Sequence, residues 1–295
     1  MASPFSESDT ILQTPNRRQC MEFRLVLDAV GIPSRPYQSK GSWYLEVAQR
    51  DAERALSELQ AYQQENPPAK EETTSDRVVQ GDAVPAVIAY GLVLIAIAVL
   101  ESYQAYGLDW MQAGQMQAGL VCDGQWWRAI TALTLHVDLG HLMSNLVFGV
   151  VFGLMAGRTL GGGVAWLSIV LAGGLGNLVN AYIQEPDHTS IGASTAVFAA
   201  LGLLVAHALR FWGDRTNRWK RWRPLIGGTV LLGLIGVGGE RTDVAAHFTG
   251  FLAGLLIGWL GSYANQQLLT KPLVQHVSGI AAIATIVIAW FIASR

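Results

Sequence analysis

The sequence predicts an all-α polytopic membrane protein with a small soluble α+β domain ahead of its first span, on three observations. Hydrophobic residues make up 51% of the 295 and charged residues only 14%, too apolar a balance for an ordinary soluble domain. The apolar residues fall in blocks close to the roughly 20 residues that carry a helix across a ~30 Å hydrocarbon layer. The first eighty residues or so hold no such block and show the mixed periodicity of a small globular fold.

The elements follow in chain order. Residues 1–16 are polar, with neither the apolar core of a secretory signal nor a basic amphipathic helix for organelle import, so they are expected to be disordered and the first span to do the targeting. From Arg17 to Val30, Phe23, Val26, Leu27 and Val30 recur at helical spacing until Gly31-Ile-Pro33 ends the helix. Ser34–Ser39 and Trp43–Val47 read as strands joined by a turn at Lys40-Gly41-Ser42, and a second helix from Ala48 runs to Asn66-Pro-Pro68. Residues 17–66 thus form an α-β-β-α domain, near the lower size limit for a self-sufficient core, and its expected role is docking a cytosolic partner or regulation. Residues 67–82 read as a linker.

Seven apolar runs follow: Val84–Leu100, Leu139–Ala156, Val164–Ile183, Ile191–Phe211, Leu225–Val237, Val244–Tyr263 and Val277–Ile292. Arg210, Arg215, Arg218, Lys220, Arg221 and Arg223 crowd one loop, with Arg158 and Lys271 on the same side. By the positive-inside rule that side is cytoplasmic, so the amino terminus lies inside and the carboxyl terminus outside. The net charge of −2 gives no ground for nucleic-acid binding. Cys20 and Cys122 have neither zinc-site spacing nor a disulfide pattern, and no cofactor or metal is expected.

Polar groups inside spans are expensive and mark candidate function. Ser194 opens the fourth run and His247 the sixth, while His141 and Asn145, four apart, share one face of the second. All four fall near the outer ends of their spans, which suggests a hydroxyl nucleophile, an imidazole base and two donors for an oxyanion. Taken singly, each reads equally well as a bond between neighbouring helices. Asp243 reads as a helix-start acid, and His188 and His207 as structural; His207 lies thirteen residues beyond Ser194, roughly 20 Å along a helix. Gly250, Gly254 and Gly258 form a small-residue face on which the fourth span can sit closely.

Trp127-Arg128, then His136, His141 and Asn145 in a His-x-x-x-x-His-Leu-x-x-Asn pattern, Gly192-Ala-Ser194, and Ala246-His247-x-x-Gly250 occur in the order found in rhomboid intramembrane serine proteases, which residues 83–263 resemble. The resemblance implies a six-helix core, with residues 264–295 as the extra helix of the six-plus-one subgroup. It implies Ser194 as nucleophile, His247 as base, and His141, Asn145 and the Ser194 amide as oxyanion hole. Gly192, Phe198, Trp127, Arg128, His136 and Gly250 would support them. The implied substrate is a transmembrane protein in the lipid bilayer, and the implied setting a bacterial inner membrane. The family's usual Gly-x-Ser-Gly ends here in Thr195, whose side chain could crowd the nucleophile. Two other readings stay open, an inactive relative that binds membrane clients and a transporter.

Overall fold

The computed structural model describes residues 8–39, 41–66, 83–211, 222–236 and 242–295. The chain divides into two compact units, Met1–Asp76 and Arg77–Arg295.

The first unit is β-α-β-β-α. Its elements are β1 (Ser8–Thr14), α1 (Arg17–Ala29), β2 (Ser34–Ser39), β3 (Ser42–Ala48) and α2 (Ala52–Glu65). The sheet is antiparallel with order β1-β3-β2, so β3 is paired on both sides. The expectation that residues 1–16 are disordered is corrected by β1. Ser8–Thr14 is too polar to announce itself by alternation, and it becomes a strand by pairing with β3 and packing Ile11 and Leu12 on the core. The Asn16 side chain accepts from the Arg18 N–H to open α1, and Gly31, at φ +74°, closes it. Cys20, Phe23, Leu27, Ile32, Leu45, Val47, Ala55 and Leu59 make the core. The expected linker, 67–82, lies outside the described residues.

In the second unit a helix covers most of every expected apolar run, with Val237 at the end of the fifth lying outside the described residues. α3 (Val84–Ser102) leads into a loop built from α4 (Trp110–Gly114), β4 (Met116–Gln117), α5 (Ala118–Cys122) and α6 (Arg128–Thr131). Then come α7 (Leu139–Leu160), α8 (Gly162–Ile183), β5 (Thr189–Ser190), α9 (Ser194–Phe211), α10 (Arg223–Gly236), α11 (Val244–Gly261), α12 (Gln266–Leu269) and α13 (Pro272–Ala293). Among the described residues, α3, α7, α8, α11 and α13 are long and apolar enough to cross a membrane, while α9 and α10 are shorter apolar helices. The protein is a multi-pass integral membrane protein of mostly helical fold. Most of the arginine-rich stretch after α9 lies outside the described residues.

α9 is the central helix. Ala196 to Leu201, Leu203, Val205 and Ala206 are all buried, so it is apolar on every face, as an enclosed helix must be. The glycine face of α11 meets it: a Cβ on Gly250 would strike the Thr195 carbonyl, one on Gly254 the Ala199 carbonyl, and one on Gly258 would come 2.8 Å from the Ala206 methyl. Gly202 of α9 answers by abutting the Phe251 carbonyl. Two helices this close have their first residues held in a narrow range of relative positions.

α13 docks on the same bundle. Gln275 donates to the Leu160 and Leu269 carbonyls, and its Oε1 accepts from Gly163 N at 2.9 Å and Val164 N at 3.2 Å. One amide thereby satisfies orphan groups at both the end of α7 and the start of α8. Toward the other end, the Trp290 indole donates to Thr134 Oγ1 at 3.0 Å and lies on Trp110 with ring centroids 4.7 Å apart.

Candidate active site

The loop between α3 and α7 is held by backbone capture. Arg128, buried, donates from Nη1 to the carbonyls of Gln112 (2.8 Å) and Gln115 (2.9 Å) and from Nε to Gln125 Oε1. Thr131 Oγ1 donates to the Gly114 carbonyl at 2.6 Å. The strand pair β4–β5, with Met116 opposite Ser190, ties this loop to the segment that enters α9. Trp127 packs beside Ile130 and Val170.

α9 starts at Ser194, so its hydroxyl stands at a helix N-terminus, where backbone N–H groups of the first turn lack helical partners and the dipole favours negative charge. Gly192, two residues earlier, has φ +124° and donates its N–H to the Ala132 carbonyl at 2.9 Å. Glycine is required there twice over. The backbone is in a left-handed region, and a Cβ would lie 2.7 Å from both Cε1 and Nε2 of His141. The same Cβ position is 3.6 Å from Ser194 Oγ, so the His141 ring and the Ser194 hydroxyl flank Gly192.

His141 is in the first turn of α7, whose cap is Asp138, accepting from the His141 N–H at 2.8 Å. Asn145, buried, donates one N–H to the His141 carbonyl at 3.0 Å; an amide carries a second. The Tyr90 hydroxyl donates to the Asn145 carbonyl at 2.8 Å and fills the space left by Gly149. His247 is buried in the first turn of α11, and Phe198, one turn after Ser194, packs on it with ring centroids 4.5 Å apart. His136 meets His141 edge to face at 5.1 Å, and its Nε2 faces the Ala193 N–H at 3.5 Å. Burial and then the neighbouring His141 push the His136 pKa down to about 4, against a smaller upward pull from the Thr134 backbone.

One cavity of about 920 Å³ receives Ser194, His247, His141, Asn145 and Phe198 together. Asp138, Ser144, Ser190 and Asp243 add polar atoms to its wall, and Phe148, Phe152 and Val197 an apolar portion. The residues expected to act together therefore share one space, although they come from three separate helices. His136, Gly192, Gly250, Trp127 and Arg128 are not among the residues that line it.

A family model described as the Rhomboid domain matches residues 123–264. The rhomboid-family protein YdcA of Bacillus subtilis is 30% identical over 144 residues, 48% of this chain and 69% of that protein. The chain belongs to the rhomboid family. RHOMBOID-like protein 5 of Arabidopsis thaliana is 31% identical over 149 residues, 50% of this chain and 48% of its own length. Rhomboid-like protease 3 of Toxoplasma gondii is 29% identical over 199 residues, covering 67% and 73%. This rhomboid thus spans about half the length of some of its relatives and more of others.

Thr195, where the family pattern puts glycine, is 2% exposed and turned into the helix packing. Its methyl is 2.9 Å from a Cβ built on Gly250 and 3.0 Å from one built on Gly176 of α8. The bulk beside Ser194 is taken up by two glycines of neighbouring helices.

Sequence reasoning missed a second cluster at the cavity rim. Asp243 caps α11, with Oδ1 accepting from the Ala246 N–H at 2.9 Å, as a helix-start acid should. Its Oδ2 also accepts from Asn180 Nδ2 at 2.8 Å and lies 2.8 Å from His188 Nε2, and the Ser190 hydroxyl bonds the same carboxylate. Burial pushes the Asp243 carboxyl up, but the bonds from Ala246, His188, Ser190 and Asn180 together hold it below its ordinary value. Asn180, in the last turn of an apolar run, was the one signal in the sequence.

Proposed function

We propose that this rhomboid is an intramembrane serine endopeptidase that cuts a peptide bond in or near a transmembrane helix of a membrane-protein substrate. What supports this best is the meeting of Ser194, His247, His141 and Asn145 around one cavity, with the Ser194 hydroxyl at a helix N-terminus. In the first half-reaction Ser194 Oγ attacks the scissile carbonyl carbon while an unprotonated His247 takes the hydroxyl proton. The carbonyl oxygen becomes an oxyanion, to which His141, the second N–H of Asn145 and the Ser194 backbone N–H donate. The intermediate collapses, the amine leaves with the proton from His247, and an acyl-enzyme remains. Water then attacks the ester, giving its proton to His247, and Ser194 is released with that proton returned.

The pair acts as a dyad, and the Phe198 ring packs against the imidazole and helps to orient it. Hydrolysis in a bilayer needs a wet recess, and the polar wall formed by Asp138, Ser144, Ser190 and Asp243 suits one. The loop charges favour a cytoplasmic amino terminus and a cavity open to the outer face of a bacterial inner membrane.

Labelling by a fluorophosphonate tests the reading, since an activated serine attacks its phosphorus, forming a phosphonate ester and expelling fluoride. Wild type should label, and Ser194→Ala and His247→Ala should not. A transmembrane substrate cut at the same rate by Ser194→Ala sinks it.

A further inference from the structure

We propose that Asp243 is a positioning residue for Ser194 and His247, acting through a hydrogen-bonded clasp with Asn180, His188 and Ser190 that pins the start of α11 to the segment entering α9. The proposal rests on the reading of Ser194 and His247 as nucleophile and base. The approach of His247 to Ser194 Oγ depends on how the first turns of α9 and α11 are placed, because each residue sits in the first turn of its helix. Glycine packing fixes how close the two helices lie. It leaves freedom to slide or fray at the ends, where these two residues sit.

One carboxylate meets both ends. Oδ1 of Asp243 caps the turn that carries His247, and the Asp243 carbonyl accepts from the His247 N–H at 3.2 Å. Oδ2 faces outward from α11, to Asn180 at the end of α8 and to His188 and the Ser190 hydroxyl in the segment before α9. That segment is itself fixed on its far side, because the Ala118 N–H donates to the His188 carbonyl at 3.0 Å and Ser190 pairs with Met116. From Ser190 only Ile191, Gly192 and Ala193 separate the clasp from Ser194, and the Gly192 N–H is held by Ala132. With side chains 15% (Asp243) and 28% (His188) exposed, the contact is sheltered, and Asp243 and Ser190 of the clasp line the cavity. A misplacement of about 1 Å between reacting groups costs on the order of a hundredfold in rate, so such a clasp need not touch the substrate to matter.

The test uses the full chain in detergent micelles, reading fluorophosphonate labelling and kcat and KM on a transmembrane substrate. Asp243→Asn keeps an acceptor for Ala246 but turns the other oxygen into a donor facing His188 and Asn180, so it spares the cap and breaks the clasp. Its kcat should fall about 10- to 100-fold with KM within about twofold. His188→Ala should fall about tenfold, and His188→Gln, which keeps an N–H near the same point, should recover to within about threefold of wild type. If Asp243→Asn does not fold, the two His188 variants carry the comparison. Values of kcat at wild-type level in Asp243→Asn and His188→Ala, or no rescue by His188→Gln, overturn the proposal alone. A wild type that fails to label removes the dyad reading and the proposal with it.

Discussion

Thr195 and His136 show how far a single position can be read. Beside Ser194 the sequence warned of crowding, but the Thr195 methyl fits against Gly176 and Gly250, a solution that needs glycines on two other helices. His136 was expected to support the site, and in the structure its Nε2 faces the Ala193 N–H. Its acceptor role requires a neutral ring. Because burial lowers its folded pKa to about 4 from an ordinary value near 6.5, stability is full above the ordinary value and is lost as pH falls through that window. Thermal unfolding across pH 4 to 7 should therefore show a decline that His136→Gln flattens. Ser194, His247, His141 and Asn145 were legible because polar groups in apolar runs are rare. The Asp243 clasp was not, since Asp243 and His188 each have an ordinary local explanation, and Asn180 alone did not reveal that the four converge.

Among the elements, glycine carries most of the packing logic, and the structure separates glycines that matter from those that do not. Gly254 abuts the Ala199 carbonyl and backbone, so any added carbon forces α9 and α11 apart. Gly227 of α10 has nothing within 4 Å of a Cβ position. Gly254→Val is expected to cost about 3 kcal/mol or more through overpacking and to abolish labelling of Ser194. Gly227→Ala should stay within about 1 kcal/mol of wild type and label normally. Thermal melts paired with probe labelling check both. The helices themselves were legible as runs of about the right length. β1 was not, because an edge strand of polar residues exists by virtue of its neighbour.

On the scale of the whole molecule the chain is two units with separate cores. The first closes around Leu27, Leu45 and Val47, all fully buried, and should fold as an isolated fragment of residues 8–66. A fragment that small is only marginally stable, so Leu45→Ala, costing about 2–5 kcal/mol, should unfold it at room temperature by circular dichroism. The second unit gathers its helices around α9 and braces them with α13, where Gln275 and Trp290 grip the bundle near opposite ends of that helix.

The sequence by itself determined the membrane class, the helical spans and the identity of the polar groups near their ends, because burying charge in hydrocarbon and leaving backbone unbonded are both costly enough to be written in composition and run length. Only the tertiary structure decided which of those groups meet, where the Thr195 methyl goes and what Asp243 holds. Those depend on distances between residues far apart in the chain, set by close helix packing that no local pattern encodes.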